Sequence, residues 1–455
     1  MALAGLVLIA VEDAGFTAHG QVVFACVAGV GALVALLADP GAAADAARRP
    51  VTVALLALGA LAVASSGWVI ERADGTDAVR WGFVVVGFAA FVLMGAVAGA
   101  RRQSLVWLMG GIAAVAVGEG ALGLLAAAQR ELPHAQRIGG SWRPGGSLQA
   151  PLSLALLQVA ALPALLAGTG LRSRWAAALS AGGLAISLGT IATAGSRMHI
   201  AVASIVGIAA LLWGSRVRLR RSDVGVALGL GVAAAAVIDA VIGGYTPPRA
   251  VGGDAARMAV SAAAVVLVAA GWVPMRAAAR RLAERYGDDA TRRRRAVAAT
   301  ASLLAVVAAG VIISASVQHD GRGVEPYGGL AHGRVPTWSA AVQTALDRPV
   351  TGSGAGSFLV ASAPHQPPGT RPSFALQLNL ELWAELGIGG LLLSLALYAG
   401  AALACWQARA SPAAWLAIPA VGAYLMANLL DWTWHMPMTG AVFGLATGIV
   451  LARSP

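Results

Sequence analysis

The feature that most constrains this chain is its series of long apolar segments, which recur between residues 20 and 452. A bilayer core of about 30 Å requires roughly 20 apolar residues in a helix, and only α-helices or closed barrels satisfy their own backbone groups there. The segments have helical length and lack the alternating pattern of barrel strands. The sequence therefore predicts an all-α fold, a polytopic transmembrane helical bundle of about 12–14 spans. We place the predicted spans at 20–38, 51–70, 80–99, 104–128, 151–169, 175–194, 198–214, 224–243, 257–275, 296–316, 380–407, 412–430 and 437–452.

The composition excludes a soluble protein. Hydrophobic residues make up 58% of the 455 residues and charged residues only 12%, with a mean hydropathy of +0.74. A soluble domain of this size and composition would expose large apolar surfaces to water. Cys26 and Cys405 fall inside apolar segments, so they predict no disulfide and no metal site. Residues 1–10 are too short to span and no cleavage site follows them, so no signal peptide is predicted.

The arginines predict how the spans are oriented. Alternate connections are rich in arginine, and the positive-inside rule assigns such connections to the cytoplasm. They contain Arg48 and Arg49, Arg101 and Arg102, Arg172 and Arg174, the run 216–221 and the block 276–295. We therefore expect a multi-pass protein of the plasma (inner) membrane, in contact with membrane lipids and with a cytoplasmic C-terminus.

The other connections are expected to face outward, and all seven histidines lie on them or at their edges. The longest one divides the chain into an N-terminal bundle (1–316), a large extracytoplasmic loop (317–379) before the last three spans, and C-terminal spans (380–455). About a dozen arginines also lie on this side, against the inside bias. Because guanidinium groups bind phosphate through paired hydrogen bonds, these arginines indicate a diphosphate-linked lipid. No Walker loop, dinucleotide fingerprint or zinc-type histidine spacing occurs, so we predict no cofactor, no metal and no nucleic acid partner.

Six segments on this outer side carry a resemblance to a known family. They are RIGGSWRP (137–144), GSR (195–197), RVPTW (334–338), PVTGSGAGSF (349–358), LELWAELG (380–387) and DWTWHMP (431–437). Over roughly residues 130–452 the chain resembles the O-antigen ligase and O-antigen polymerase superfamily, as a divergent member of actinobacterial type.

The resemblance implies a glycosyltransferase that works outside the cell without a nucleotide sugar. Such an enzyme moves a glycan from a polyprenyl-diphosphate carrier to a hydroxyl of a glycan, lipid or protein acceptor, as a ligase or as a polymerase. By position, the resemblance implies that Arg197 and Arg334 hold the diphosphate. Arg137 and Arg371 are further candidates for the same role.

The chain departs from the family where a histidine usually precedes the LELWAELG segment. Leu376 and Gln377 occupy the matching positions, and leucine cannot accept a proton. Three interpretations stay open: His365 or His332 supplies the base from the same loop, Glu381 takes that role, or the protein is a non-catalytic relative. A transporter or flippase of lipid-linked glycans is the alternative from another class, and it would place charged or broken-helix positions near the bilayer midplane.

Several other residues have both a structural and a functional interpretation. The glycines of segment 349–358 are interpreted as a flexible turn, with phosphate binding through backbone amides as the alternative. Trp432 and Trp434 are interpreted as interfacial anchors, with sugar stacking as the alternative. His435 is interpreted as a residue that caps the start of a helix rather than as a base. Glu119, inside a predicted span, is either a hydrogen-bonded helix contact or part of a site.

Overall fold

A computed structural model describes residues 2–70, 75–138, 141–213, 221–242, 253–285, 334–369 and 371–454. Within these residues the secondary structure is helical apart from one two-stranded hairpin. Nine of the described helices are long and apolar enough to cross a membrane. The prediction of an all-α, multi-pass membrane protein is confirmed at this level, while the full number of spans stays a prediction.

The chain forms two compact units, and the first combines residues Met1–Val106 with His319–Pro455. Its helices are α1 Ala2–Val11, α2 Ala18–Ala38, α3 Pro40–Ala47, α4 Pro50–Ala64, α5 Gly75–Ala100, α12 Arg334–Asp347, α13 Phe358–Ala361, α14 Leu378–Ala408, α15 Ile418–Asn428 and α16 Pro437–Leu451. Helices α5 and α16 pack backbone to backbone: a Cβ at Gly448 would lie 2.1 Å from the carbonyl oxygen of Val92. Small residues permit this close approach between apolar helices.

The second unit contains residues Trp107–Gln318. It comprises most of α6 (Arg102–Gln129), strands β1 (Ala135–Ile138) and β2 (Ser141–Pro144), α7 (Pro151–Thr169), α8 (Arg174–Thr193), α9 (Arg197–Trp213), α10 (Arg221–Ile242) and α11 (Asp254–Arg285). Buried Gln158 links three of these helices, because it donates to the carbonyl oxygen of Ala116 at 2.7 Å and accepts from Ser187 Oγ at 2.8 Å. Such interhelical hydrogen bonds satisfy polar groups that lipid cannot.

Three predicted features have different outcomes when they are compared with the structure. The predicted span 296–316 lies outside the described residues. The predicted span 412–430 is a short 3₁₀ turn followed by the 11-residue helix α15, with Pro419 in its first turn. The described part of the predicted long loop is not irregular throughout, since it contains helix α12. The division at residues 316 and 379 follows chain order, whereas the two units follow contacts in space, and that division stays a prediction.

Helix α14 carries the feature that shapes the site. Its backbone breaks at Gly387, where φ is +63° and ψ is −158°, a conformation that is essentially restricted to glycine. The break separates the turn that contains Glu381 and Glu385 from the remainder of the helix. It also leaves backbone groups of α14 without their usual helical partners.

Candidate functional site

The first unit contains a cavity of about 270 Å³ beside the segment that precedes α16. Aromatic rings form part of its wall, and ionisable side chains interrupt them. The cavity is lined by Phe16, Ala18, Gln21, Asp77, Arg80, Trp81, Gly356, Leu359, Ser373, Phe374, Glu385 and His435. Pockets that combine apolar walls with a few convergent polar groups are the usual form of a small-molecule site.

The buried imidazole of His435, which lines this cavity, is hydrogen bonded to a buried carboxylate that is not itself a lining residue. Glu381 and His435 are 1% and 2% exposed, and His435 Nε2 is hydrogen bonded to Glu381 Oε1. The same carboxylate accepts from the backbone N–H of Ala375 at 2.9 Å and from Trp434 Nε1 at 3.3 Å. His435 Nδ1 is buried and has no hydrogen-bond partner among the described residues. In the tautomer whose Nε2 donates to the carboxylate of Glu381, Nδ1 keeps its lone pair.

Aromatic side chains fix the orientation of this imidazole. The ring centroid of Phe374 lies 3.9 Å from that of His435, and Trp81 meets it edge-on at 4.5 Å. Trp434 stacks on Trp81 at 6.0 Å and Trp432 stacks on Phe374 at 5.3 Å. The two tryptophans interpreted as interfacial anchors therefore pack around the imidazole, and Trp434 is buried.

The second carboxylate of α14, Glu385, holds the glycine-rich segment in place. Its oxygens accept from the backbone N–H groups of Gly356 and Phe358, both at 2.9 Å. Gly352 has a φ of +69°, and a Cβ there would lie 2.3 Å from the carbonyl group of Glu385. The glycines thus allow a close approach to the helix, and the amides that would bind a phosphate at positions 356 and 358 bind a carboxylate instead. Neither the flexible turn nor the phosphate loop describes this segment.

The turn before α14 contains Leu376, the position at which the resemblance led us to expect a histidine. Leu376 has a φ of +58°, which is unusual for a residue with a branched side chain. Glu381 stabilises this turn through the amide of Ala375, and the side chain of Gln377 caps the helix by accepting from Leu380 N at 2.5 Å. The result is that the turn presents Phe374 to His435.

The predicted residues of the long loop lie in different surroundings. His365 pairs with the exposed Asp347 at 2.6 Å and does not line the cavity. Arg371 is exposed and lies two residues before Ser373, which does line it. His332 lies outside the described residues. Glu381 does not line the cavity either, but it is hydrogen bonded to His435, which does, and both of its oxygens accept hydrogen bonds.

Arg334 begins helix α12 and lies near the segment before α16. Its Nε atom is buried and has no hydrogen-bond partner among the described residues. Burial raises the pKa of Asp431 to about 6, while the backbone N–H of Trp432 and the charge of Arg334 limit that rise. Arg80, which sequence reasoning did not select, lines the cavity and pairs with Asp77.

The predicted residues of the second unit lie around its hairpin and the start of α9. Arg137 is exposed on β1, opposite Trp142 in the antiparallel register. Arg197 is the first residue of α9. The guanidinium of Arg143 lies against Gly195, so the hairpin reaches the GSR turn through an arginine that sequence reasoning did not select.

Two further polar groups of the second unit have local partners. Glu119 accepts from Ser147 N at 2.8 Å and from Ser147 Oγ at 2.7 Å, which agrees with its interpretation as a hydrogen-bonded helix contact. Ser196 Oγ lies 2.6 Å from Nδ1 of the buried His199. Among the described residues no group of three or more His, Cys, Asp or Glu side chains is arranged to hold a metal ion.

The fold and the cavity together define a class of protein, a multi-pass helical membrane protein with an aromatic-walled, charged cavity next to its last helix. No protein-family model matches the chain, and no curated protein matches it. Its function is therefore inferred from the residues of the cavity.

His435 lines the cavity, whereas the sequence interpretation gave it the role of capping a helix. A usable signal was present, because a histidine directly before an apolar span is at the depth of the predicted outer surface, within a segment rich in tryptophan. The missing information was its partner, since Glu381 lies 54 residues earlier in the chain.

Proposed function

We propose that this protein transfers a glycan from a polyprenyl-diphosphate carrier to an acceptor hydroxyl at the outer face of the plasma membrane, as a ligase or a polymerase. The observation that carries the proposal is the aromatic-walled cavity lined by His435, whose imidazole is hydrogen bonded to the buried carboxylate of Glu381. Aromatic faces such as those of Trp81 and Phe374 pack well on the apolar faces of sugar rings, and the adjacent polar groups orient the sugar hydroxyls.

The reaction needs positive charge at the leaving group. A bond forms between the acceptor oxygen and the anomeric carbon, the bond from that carbon to the diphosphate breaks, and the diphosphate leaves on its lipid. Arg80 lines the cavity, and Arg371 lies two residues before Ser373, which also lines it. The charge of Arg334 acts on Asp431, which lies four residues before His435 of the cavity wall. Preorganised donors that stabilise such developing charge are each worth roughly 10²–10³ in rate. Arg197 and Arg137 stay predicted diphosphate ligands from the sequence.

The proposal is tested by measuring lipid-linked glycan in cells that lack the protein. The polyprenyl lipids are extracted and quantified by mass spectrometry after complementation with wild type, Arg334→Ala or Arg80→Ala. We expect the intermediate to accumulate without the protein, wild type to clear it, and the two variants to clear it at least tenfold more slowly. Arg409→Ala is the matched control, because Arg409 is exposed and its guanidinium contacts Trp406 at the other end of α14.

The side of the membrane on which the intermediate accumulates separates a transferase from a flippase. If the protein is a transferase, the accumulated glycan is accessible in intact cells to periodate, an oxidant that does not cross the membrane. Protection of the accumulated glycan from periodate contradicts the transferase proposal and favours a flippase. An unchanged pool in every strain contradicts both.

A further inference from the structure

We infer that His435 is the general base that takes the proton from the acceptor hydroxyl, and that Glu381 is the residue that positions it. The inference rests on the proposed transfer reaction and names the group that replaces the histidine missing at Leu376. It follows from the contacts of three candidate bases, each of which the structure describes.

The imidazole of His435 has the arrangement that a general base requires. One ring nitrogen, Nε2, is held by a carboxylate that is itself fixed by the amide of Ala375. The other, Nδ1, is buried without a hydrogen-bond partner among the described residues, and the residue lines the cavity. A nucleophile or acceptor group, a histidine and a carboxylate that orients it form the recurring pattern of assisted proton transfer.

The surroundings of the ring keep that arrangement fixed. Phe374 and Trp81 enclose it, so the ring cannot rotate without displacing an aromatic side chain. The charged and titratable groups that share the cavity wall with His435 are Asp77, Arg80 and Glu385. Asp77 and Arg80 pair with each other, and Glu385 accepts two backbone hydrogen bonds. His435 Nδ1, in contrast, has no hydrogen-bond partner among the described residues.

The other candidates have their proton-accepting atoms engaged elsewhere. Both oxygens of Glu381 accept hydrogen bonds, one of them from the imidazole, so this carboxylate acts through His435. His365 is tied to the exposed Asp347 and does not line the cavity. The turn at Leu376 supplies no base, and it positions Phe374 against the imidazole instead.

The proton balance of the step is complete. As the acceptor oxygen bonds to the anomeric carbon, its proton moves to His435 Nδ1, and the resulting imidazolium is stabilised by the negative charge of Glu381. The electron pair of the broken bond leaves with the diphosphate. The imidazolium then returns its proton to water at the outer face.

The test measures clearance of an accumulated pool as a function of pH. Cells that lack the protein first accumulate the lipid-linked glycan, and a variant is then induced while the medium is held at values from pH 5.5 to 8. Wild type is compared with His435→Gln, whose side-chain amide can still donate to Glu381 but offers no base, and with Glu381→Gln. His19→Gln is the control, because His19 is exposed, pairs with Glu12 and does not line the cavity. Thermal unfolding of each purified full-length variant in detergent verifies folding.

We expect the wild-type rate to rise with pH and then level off, because only the neutral imidazole accepts the proton. His435→Gln should clear the pool roughly 10²–10⁴-fold more slowly, with no such rise. In Glu381→Gln the rate should fall and the rise should move to lower pH, because the imidazolium loses its negative partner. A purely structural role for either residue would lower the rate without altering the pH profile, and that result overturns the inference.

The outcomes separate this inference from the proposed function. If wild type clears the pool and a folded His435→Gln variant does so at the same rate and with the same pH profile, the base assignment is wrong and the transferase proposal stands. Loss of clearance in His365→Gln or His332→Gln together with a normal His435→Gln would assign the base to the long loop. If wild type itself clears nothing, both proposals fail. If His435→Gln does not fold, the pH profile of Glu381→Gln decides.

Discussion

At the scale of single residues, the carboxylates Glu381 and Glu385 lie one helical turn apart but have different partners. Both are buried, and a buried ionised carboxylate is stable only when hydrogen bonds replace water. Glu385 receives two backbone amides of the glycine-rich segment, which gives it a structural role. Glu381 receives one backbone amide and two side chains, one of which is the imidazole at the cavity.

We predict that Glu385→Gln destabilises the protein by about 1–3 kcal/mol. The amide group of glutamine has one acceptor oxygen, so either Gly356 N or Phe358 N would face a donor and stay unsatisfied in a buried position. The measurement is thermal unfolding of purified protein in detergent. Glu131→Gln is the control, since Glu131 is exposed and should change stability by less than about 0.5 kcal/mol. Equal unfolding temperatures for wild type and Glu385→Gln would contradict the structural role.

The raised pKa of Asp431 predicts that the free energy of unfolding depends on pH. Burial raises its pKa from 3.8 to about 6, although the amide of Trp432 and the charge of Arg334 oppose the rise. Because the folded state binds this proton more tightly than the unfolded chain, the stabilising contribution is complete below about pH 4 and is lost as the pH rises through about 6. The unfolding temperature should therefore fall across this range in wild type by more than in Asp431→Asn.

The relevant measurement is the difference in unfolding temperature between wild type and Asp431→Asn at each pH, because other groups titrate equally in both proteins. Asp45→Asn serves as the control, since Asp45 is exposed on α3 and its variant should follow wild type at each pH. Curves for wild type and Asp431→Asn that stay parallel from pH 4 to pH 7 would contradict the prediction.

At the scale of elements, the break in α14 and the docking of segment 349–358 depend on each other. The break frees two carbonyl groups and one amide of the helix, and the segment satisfies all three. Ser353 N donates to the carbonyl oxygen of Ala384 at 3.0 Å, Gly354 N donates to that of Glu385 at 2.8 Å, and Ile388 N donates to that of Pro349 at 2.9 Å. Buried backbone groups require such partners, so neither the kink nor the segment is stable alone.

We predict that Gly387→Ala undoes this docking. A Cβ at Gly387 would lie 2.1 Å from the carbonyl oxygen of Val350, and the backbone conformation itself costs a non-glycine residue about 1–3 kcal/mol. The expected result is a lower unfolding temperature together with cleavage of segment 349–358 by added protease. Gly422→Ala in α15 is the matched control: a Cβ there has nothing within 4 Å, and alanine favours a helix by up to about 1 kcal/mol. Wild-type resistance to protease in Gly387→Ala would contradict the prediction.

At the scale of the whole molecule, the arginine pattern predicts which ends of the helices face the cytoplasm. Helix α7 has 19 residues, which corresponds to about 28 Å and thus to one bilayer crossing. Leu132 precedes the hairpin before this helix and Leu171 follows its end, and both are exposed. The two positions are therefore suited to a direct test of orientation.

We expect Leu132→Cys to react with a membrane-impermeant maleimide in intact cells and Leu171→Cys to react only after lysis. The background carries serine at positions 26 and 405, so that each variant contains a single cysteine. Labelling is measured by the mass shift of the purified protein, and reaction of both variants after lysis is the internal control. The opposite labelling pattern would place the hairpin inside the cell and would contradict the proposed outer-face reaction.

The sequence by itself determined the membrane class and most helix positions. The free energy of transferring an apolar segment into lipid depends on the segment alone, so composition and length suffice to predict it. The predicted spans 151–169 and 175–194 coincide with α7 and α8 within one residue at each end. The spacing of Glu381 and Glu385 likewise placed both carboxylates on one helical face.

Only the tertiary structure decided what those carboxylates do. Apart from the amide of Ala375, the partners of Glu381 and Glu385 come from residues 27 to 54 positions away, and no local pattern encodes such a distance. The break at Gly387 exists because hydrogen bonds to the distant segment 349–358 offset its conformational cost. The resemblance predicted that a base is missing at Leu376, whereas only the contacts around His435 led to the proposal that its imidazole replaces that base.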